Sequence, residues 1–99
     1  MIRYTTPTHI FNVNLDFTQV DVIYVTYNQN GTNLVEKTKE DLTITVDQIT
    51  LTLSQEDTGK FVIGEPVEIQ IRARFYDGTA VASNIMRTTV ERVLKGGVI

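Results

Sequence analysis

The chain has 99 residues, of which 41% are apolar and 21% charged, and it contains no cysteine. That length supports a single core, so residues 1–99 are read as one domain, and the lack of cysteine excludes a disulfide framework and a thiolate zinc site. A formal charge of -3 and a sequence pI near 5.0 argue against nucleic acid as a partner, because phosphate binding calls for clustered Lys and Arg.

Met1 to Pro7 carries no basic stretch followed by an apolar one, so no secretion signal is read there. No run approaches the roughly 20 apolar residues of a bilayer span, and no membrane partner is expected. Pro7 lacks an N–H and biases Thr6 toward an extended shape, so the first strand is expected to begin near Thr8. In that strand Phe11, Val13 and Leu15 share one face, and Asn12 and Asn14 the other. His9 has the parity of Phe11 and Val13, which reads as an edge or core imidazole with a satisfied hydrogen bond. The nearest carboxylate in sequence, Asp16, falls on the opposite face, so neither a catalytic triad nor a metal site is supported there.

A second strand is expected from Val20 to Asn28, apolar on both faces: Ile23, Val25 and Tyr27 on one, Val22 and Tyr24 on the other. Such a strand is either central between two layers or covered by a partner. Asn30-Gly31 then gives the strongest hairpin signal in the chain, because a type I′ turn requires positive φ at both central positions. It leads to a third strand around Asn33 to Thr38. Lys37 to Asp41 is charged and without an apolar anchor, and is read as an exposed connection.

From Leu42 to Leu53 the alternation is strict. Leu42, Ile44 and Val46, then Ile49, Leu51 and Leu53, occupy one face, while Thr43, Thr45, Thr50 and Thr52 occupy the other, with Asp47-Gln48 as the turn. This is an antiparallel hairpin with a buried face and a wet face. Ser54 followed by Glu56 and Asp57 has the form of a capped helix start, stopped by Gly59, so one short helical turn is expected near residues 54–60 with Phe61 or Ile63 plugging the core. Glu36, Glu40 and Asp41, or Glu56 and Asp57, lack the spacing of a calcium loop and read as solvated charges.

Val67 to Tyr76 alternates again: Val67, Ile69, Ile71, Ala73 and Phe75 inward, Glu68, Gln70, Arg72 and Arg74 outward. Glu65 and Glu68 are expected to pair with Arg72 and Arg74 across strands. Asp77-Gly78 is a second hairpin turn, returning the chain through Ala80 to Ala82 and on to Leu94, with a bulge or kink near Ser83-Asn84 where the apolar parity changes. The fold class is all-β: an immunoglobulin-like antiparallel sandwich of seven to eight strands, with a small barrel as the alternative. Tyr24 is the tyrosine best placed for a ligand or partner, although a role packing against the second sheet is the favoured reading.

Several stretches resemble a family of small, roughly hundred-residue β-sandwich proteins encoded in the structural-gene regions of phages and prophages of Gram-positive bacteria. They are Thr5-Thr6-Pro7-Thr8, Val25-Thr26-Tyr27-Asn28-Gln29-Asn30-Gly31, Leu51-Thr52-Leu53-Ser54-Gln55-Glu56-Asp57-Thr58, Val67-Glu68-Ile69-Gln70-Ile71-Arg72, Asp77-Gly78-Thr79-Ala80, Ala82-Ser83-Asn84-Ile85 and Val93-Leu94-Lys95-Gly96-Gly97-Val98-Ile99. The chain is similar, more loosely, to the amino-terminal β domains of phage baseplate upper proteins.

The resemblance implies a virion component or assembly accessory, in the tail or baseplate rather than the head, with no cofactor and no catalytic residues to carry over. Its partners would be other virion proteins or further copies of itself, and it would be made in the host cytoplasm before entering the particle. The expected docking surfaces are the doubly apolar strand at Val22 and Tyr24 and the tail at Val98 and Ile99. A carbohydrate-binding or adhesion module is the alternative.

Overall fold

The computed structural model describes residues 1–99 as two antiparallel sheets packed face to face. The strands are β1 (Thr8–Asn12), β2 (Val20–Gln29), β3 (Thr32–Thr38), β4 (Thr43–Ile44), β5 (Gln48–Thr52), β6 (Val67–Phe75), β7 (Ala80–Ala82) and β8 (Met86–Thr88), with one helical turn, α1 (Gln55–Gly59), between β5 and β6. One sheet has the order β1-β5-β4. The other runs β3-β2-β6, with β7 and β8 following each other along the far edge of β6.

The chain crosses between layers after β1, after β3 and after β5, which is the connectivity of an immunoglobulin-type sandwich. In that scheme β1, β5 and β4 take the places of strands B, E and D, and β3, β2, β6 and β7/β8 those of C′, C, F and G. Strand A is missing from this set. Met1 to Arg3 supplies only a fragment beside strand G, a parallel bridge of Ile2 with Glu91. The all-β sandwich expected from periodicity is therefore the observed fold.

The apolar parity builds the core as expected. Ile23, Val25 and Tyr27 of β2 meet Ile49, Leu51 and Leu53 from the opposite layer, and Val67, Ile69, Ile71 and Ala73 of β6 complete the floor. The first hairpin turn forms for its expected reason. Asn30 and Gly31 both adopt positive φ, 54° and 80°, and Gly78 at φ 89° closes the second hairpin, where Gly78 N–H donates to Phe75 C=O at 2.9 Å. The parity change near Ser83 is real, and it divides the last strand into β7 and β8. There the Ser83 hydroxyl accepts from Ile71 N–H at 2.9 Å, taking over a ladder bond that the irregular backbone cannot make.

Several expectations are corrected. Val46 is 62% exposed, because the hairpin turns over Thr45 to Gln48 and places Val46 at its tip, where Thr45 N–H meets Gln48 C=O at 2.9 Å. Phe61 plugs the core at 0% exposure while Ile63 is 49% exposed. Strand structure stops at Thr88, and Leu94 lies in the open. Glu68 pairs with its register partner Arg87 at 3.1 Å, and Arg74 with Asp21 at 3.0 Å, the residue left out of the register beside Arg74's partner Val22; neighbouring strands, and not proximity in sequence, decide cross-strand partners.

The largest correction concerns charge. Lys37 lies within β3, in the register opposite Val25, so its side chain points inward. It meets Asp57 at 2.8 Å, with 20% and 11% of the two side chains exposed. Asp57 is thus neither solvated nor idle: its carboxylate also accepts from Ser54 N–H at 2.9 Å, and the Ser54 hydroxyl accepts from Asp57 N–H at 3.1 Å. This reciprocal cap explains why so short a helix forms. The amino-terminal segment clasps the same turn: Thr58, fully buried, donates to Thr5 C=O and accepts from Thr5 N–H. Tyr4 lies flat against Gly59, where a Cβ would come within 2.5 Å of the ring, so only glycine permits the clasp.

Candidate functional site: an uncovered seam between the sheets

A layer three strands wide faces one four strands wide, so one strand's width of the larger sheet stays uncovered. The gap lies between β1 and β7/β8, where strand A belongs in the complete fold. It forms a groove of about 420 Å³ in which nine of the twelve lining residues are apolar, among them Ile10, Phe11, Val13, Leu15, Val81 and Met86. Phe11, Val13, Val81 and Met86 are only partly buried. Ile10 and Leu15 are 58% and 45% exposed.

Both walls of the seam end in unpaired backbone. Leu53 N–H donates to Pro7 C=O at 3.0 Å and Val13 N–H to Asp47 C=O at 2.9 Å. With the register running from Thr8↔Thr52 to Asn12↔Gln48, the odd-numbered residues of β1 direct their backbone groups to β5. Alternation then turns the N–H and C=O of Ile10 and Asn12 outward. The same reasoning applied to β7 leaves Ala80 and Ala82 facing out, since Phe75 N–H is bonded to Thr79 C=O and Ser83 N–H to Ile71 C=O, both at 2.8 Å. Neither edge carries the lysines or central prolines with which proteins usually blunt an exposed strand.

The seam was visible in the sequence only as the inward parity of Phe11, Val13 and Leu15. Nothing in that pattern distinguishes a face covered by the opposite sheet from one left open. The residues expected to dock lie elsewhere. Val22 is half-buried and Tyr24 is 41% exposed, both on the outer face of the larger sheet, so Tyr24 does not pack on the second layer. Val98 and Ile99 are 54% and 91% exposed, and the tail is held by Gln55 of α1, whose Oε1 accepts from Ile99 N–H at 2.9 Å. Because α1 meets the inward side chain of Lys37, the tail and Tyr24 belong to opposite sides of that sheet, and the structure does not bring them together.

Tyr24 borders a second, more polar depression of about 480 Å³, with Thr26 and Gln70 in it and Asn28 and Asn33 beyond. Glu36 and Arg72 stand on its opposite banks without an ion pair in the chain. Neither Tyr4 nor Tyr76 joins Tyr24: Tyr4 carries the Arg3 guanidinium over its ring at 5.1 Å, and Tyr76 carries the Lys39 ammonium at 5.4 Å.

His9 has a structural partner. Its Nδ1 lies 2.6 Å from the Tyr27 hydroxyl and the two rings stack at 5.7 Å. Burial pushes the Tyr27 phenol well above its usual range, and the charge of Asp57 adds to this. The phenol has no other partner, so its hydrogen is assigned to Nδ1 and the imidazole proton to Nε2. Burial, helped by the amino-terminal charge, lowers the His9 pKa and so favours the neutral ring. An acceptor that only receives the proton of a phenol locked in the core is a packing device. No group of three or more His, Asp or Glu side chains gathers at metal-binding distance, and no helix is long and apolar enough to cross a membrane.

Comparison of the chain with protein-family models, with curated proteins and with solved structures gave no match.

Proposed function

We propose that this chain is a non-enzymatic structural or assembly component of a phage or prophage particle, in the tail or baseplate, that works by protein–protein contact. The observation that carries the contact role is the seam. It joins apolar lining to two unblunted strand edges, a combination that in a lone domain invites pairing with another chain. The phage assignment rests on the resemblance of the stretches from Thr5-Thr6-Pro7-Thr8 to the closing Lys95-Gly96-Gly97-Val98-Ile99. A sandwich suits the task, since two packed layers hold the edges rigid and repeated copies make small contacts cooperative. Particles purified from a host that encodes the chain should contain it at a fixed ratio to the tail proteins by mass spectrometry. Its absence from intact particles would remove the assignment.

One observation favours a second role, in glycan binding. The depression beside Tyr24 pairs an exposed ring with the unpaired carboxylate of Glu36 and guanidinium of Arg72, the groups that hold sugar hydroxyls. Titration with chitotriose, maltotriose and cellotriose should then shift the amides of Tyr24, Thr26 and Gln70 saturably, and Tyr24→Ala should abolish the shifts. Three flat titrations would sink that role.

A further inference from the structure

We propose that the seam is an acceptor slot for one extended strand donated by another protein subunit, which takes the place of strand A. This rests on the contact role above and is independent of membership in a particle. The backbone dictates the class of occupant. Outward N–H and C=O groups at Ile10 and Asn12 of β1 are spaced two residues apart and open to water, and an occupant that displaces that water replaces it in register by being another β-strand. A helix, a lipid chain or a small apolar ligand fills volume but leaves those groups unmet.

The fold also supplies the direction. Met1 to Arg3 runs parallel to strand G beside Glu91, with Glu91 N–H donating to Met1 C=O at 2.9 Å and Arg3 N–H to Glu91 C=O at 3.2 Å. The open part of the slot continues that line past β8 and β7. An occupant following it runs parallel to β7/β8 and antiparallel to β1, which is the course of strand A. Met1 sits at the junction of the two, where its nitrogen donates to Thr89 C=O at 2.6 Å.

The chemistry of the occupant follows from the lining. A strand places alternate side chains on opposite faces, and the inner ones meet Phe11, Val13, Val81 and Met86. Those positions call for branched apolar residues. The outer ones meet water and call for threonine or serine, and no charge lines the groove to recruit an ionic partner. About seven residues, at roughly 3.4 Å each, span the stretch from Thr8 to Asn14.

The test uses the full chain and two synthetic heptapeptides: one alternating threonine and valine, the other of the same composition with the valines in a block. The alternating peptide should shift the amides of β1 saturably and protect those of Ile10 and Asn12 from hydrogen exchange. The block peptide should bind at least about tenfold more weakly, because it cannot present one apolar face. Ile10→Pro removes an outward N–H and no bond to β5, so the variant should keep its melting temperature and lose at least about tenfold in affinity for the alternating peptide.

Absence of saturable shifts, equal binding of the two peptides, or unchanged binding by a folded Ile10→Pro variant would each overturn the slot. Should that variant fail to fold, the exchange protection of Ile10 and Asn12 in the native chain decides. A negative peptide result with the chain present in particles would reject the slot and leave the particle assignment standing.

Discussion

Replacing Asp57 with alanine is expected to destabilise the fold by about 3 kcal/mol, which for a chain of this size lowers the melting temperature by roughly 15 °C. Two losses combine. The Ser54 N–H loses the acceptor that closes the helix start, a cap normally worth about 1 kcal/mol. Lys37, four-fifths shielded from water, is left as a charge without a counter-ion, which costs more than the pair itself contributed. Asp57→Asn retains a capping oxygen and should cost about 2 kcal/mol, isolating the charge. Adding Lys37→Met to Asp57→Asn should return most of that loss, and denaturant midpoints of the four proteins measure the coupling. Four independent, additive midpoints would show that the ion pair carries no weight.

The same carboxylate sets a pH dependence. Burial alone raises the Asp57 pKa, but the hydrogen bonds from Lys37 and Ser54 and the lysine charge outweigh it, holding the group below its usual value of 3.8. A carboxylate with a depressed folded pKa binds fewer protons folded than unfolded. Its contribution is therefore complete above the unfolded pKa and lost as pH falls through the folded one. The native protein should lose stability below about pH 4, and Asp57→Asn should lose less over the same interval.

Gln29→Leu should cost about 3 kcal/mol and free the loop between α1 and β6. Gln29 is 3% exposed at the end of β2. Its amide donates to the C=O of Val62 and of Glu65 at 2.8 and 2.9 Å and accepts from Val62 N–H at 2.8 Å. Leucine fills the volume and satisfies none of the three, leaving backbone groups stranded at the core margin. Hydrogen exchange at Val62 should accelerate along with the fall in stability. Gln29→Glu should be no better at neutral pH, since a carboxylate faces two carbonyl oxygens with no hydrogen to give. A Gln29→Leu protein with native stability would mean that water replaces the amide without loss.

Gln29 does not stand out in the sequence and Asp57 does so only as part of a helix start, although the strands around them are plain. Parity places Ile23, Val25, Tyr27, Ile71 and Ala73 in the core because a strand offers only two faces, and burial of one decides the register. Ser54 announces the helix start for the same local reason. By contrast, Lys37 looks like loop charge because its partner is twenty residues away. Tyr24 looks like a packing residue because an apolar side chain on a doubly apolar strand does not reveal which face meets the second layer.

What the sequence determined by itself was the class of the fold and its turns, since alternation, Asn30-Gly31 and Gly78 act through a few neighbouring bonds. Only the tertiary structure decided that Lys37 and Asp57 meet, that Gln29 ties down a distant loop, and that the layer carrying Phe11 and Val13 is one strand too narrow. Each depends on which strands become neighbours, a choice made by packing the whole chain at once. The width of the smaller sheet, and with it the uncovered seam, is the outcome of that choice.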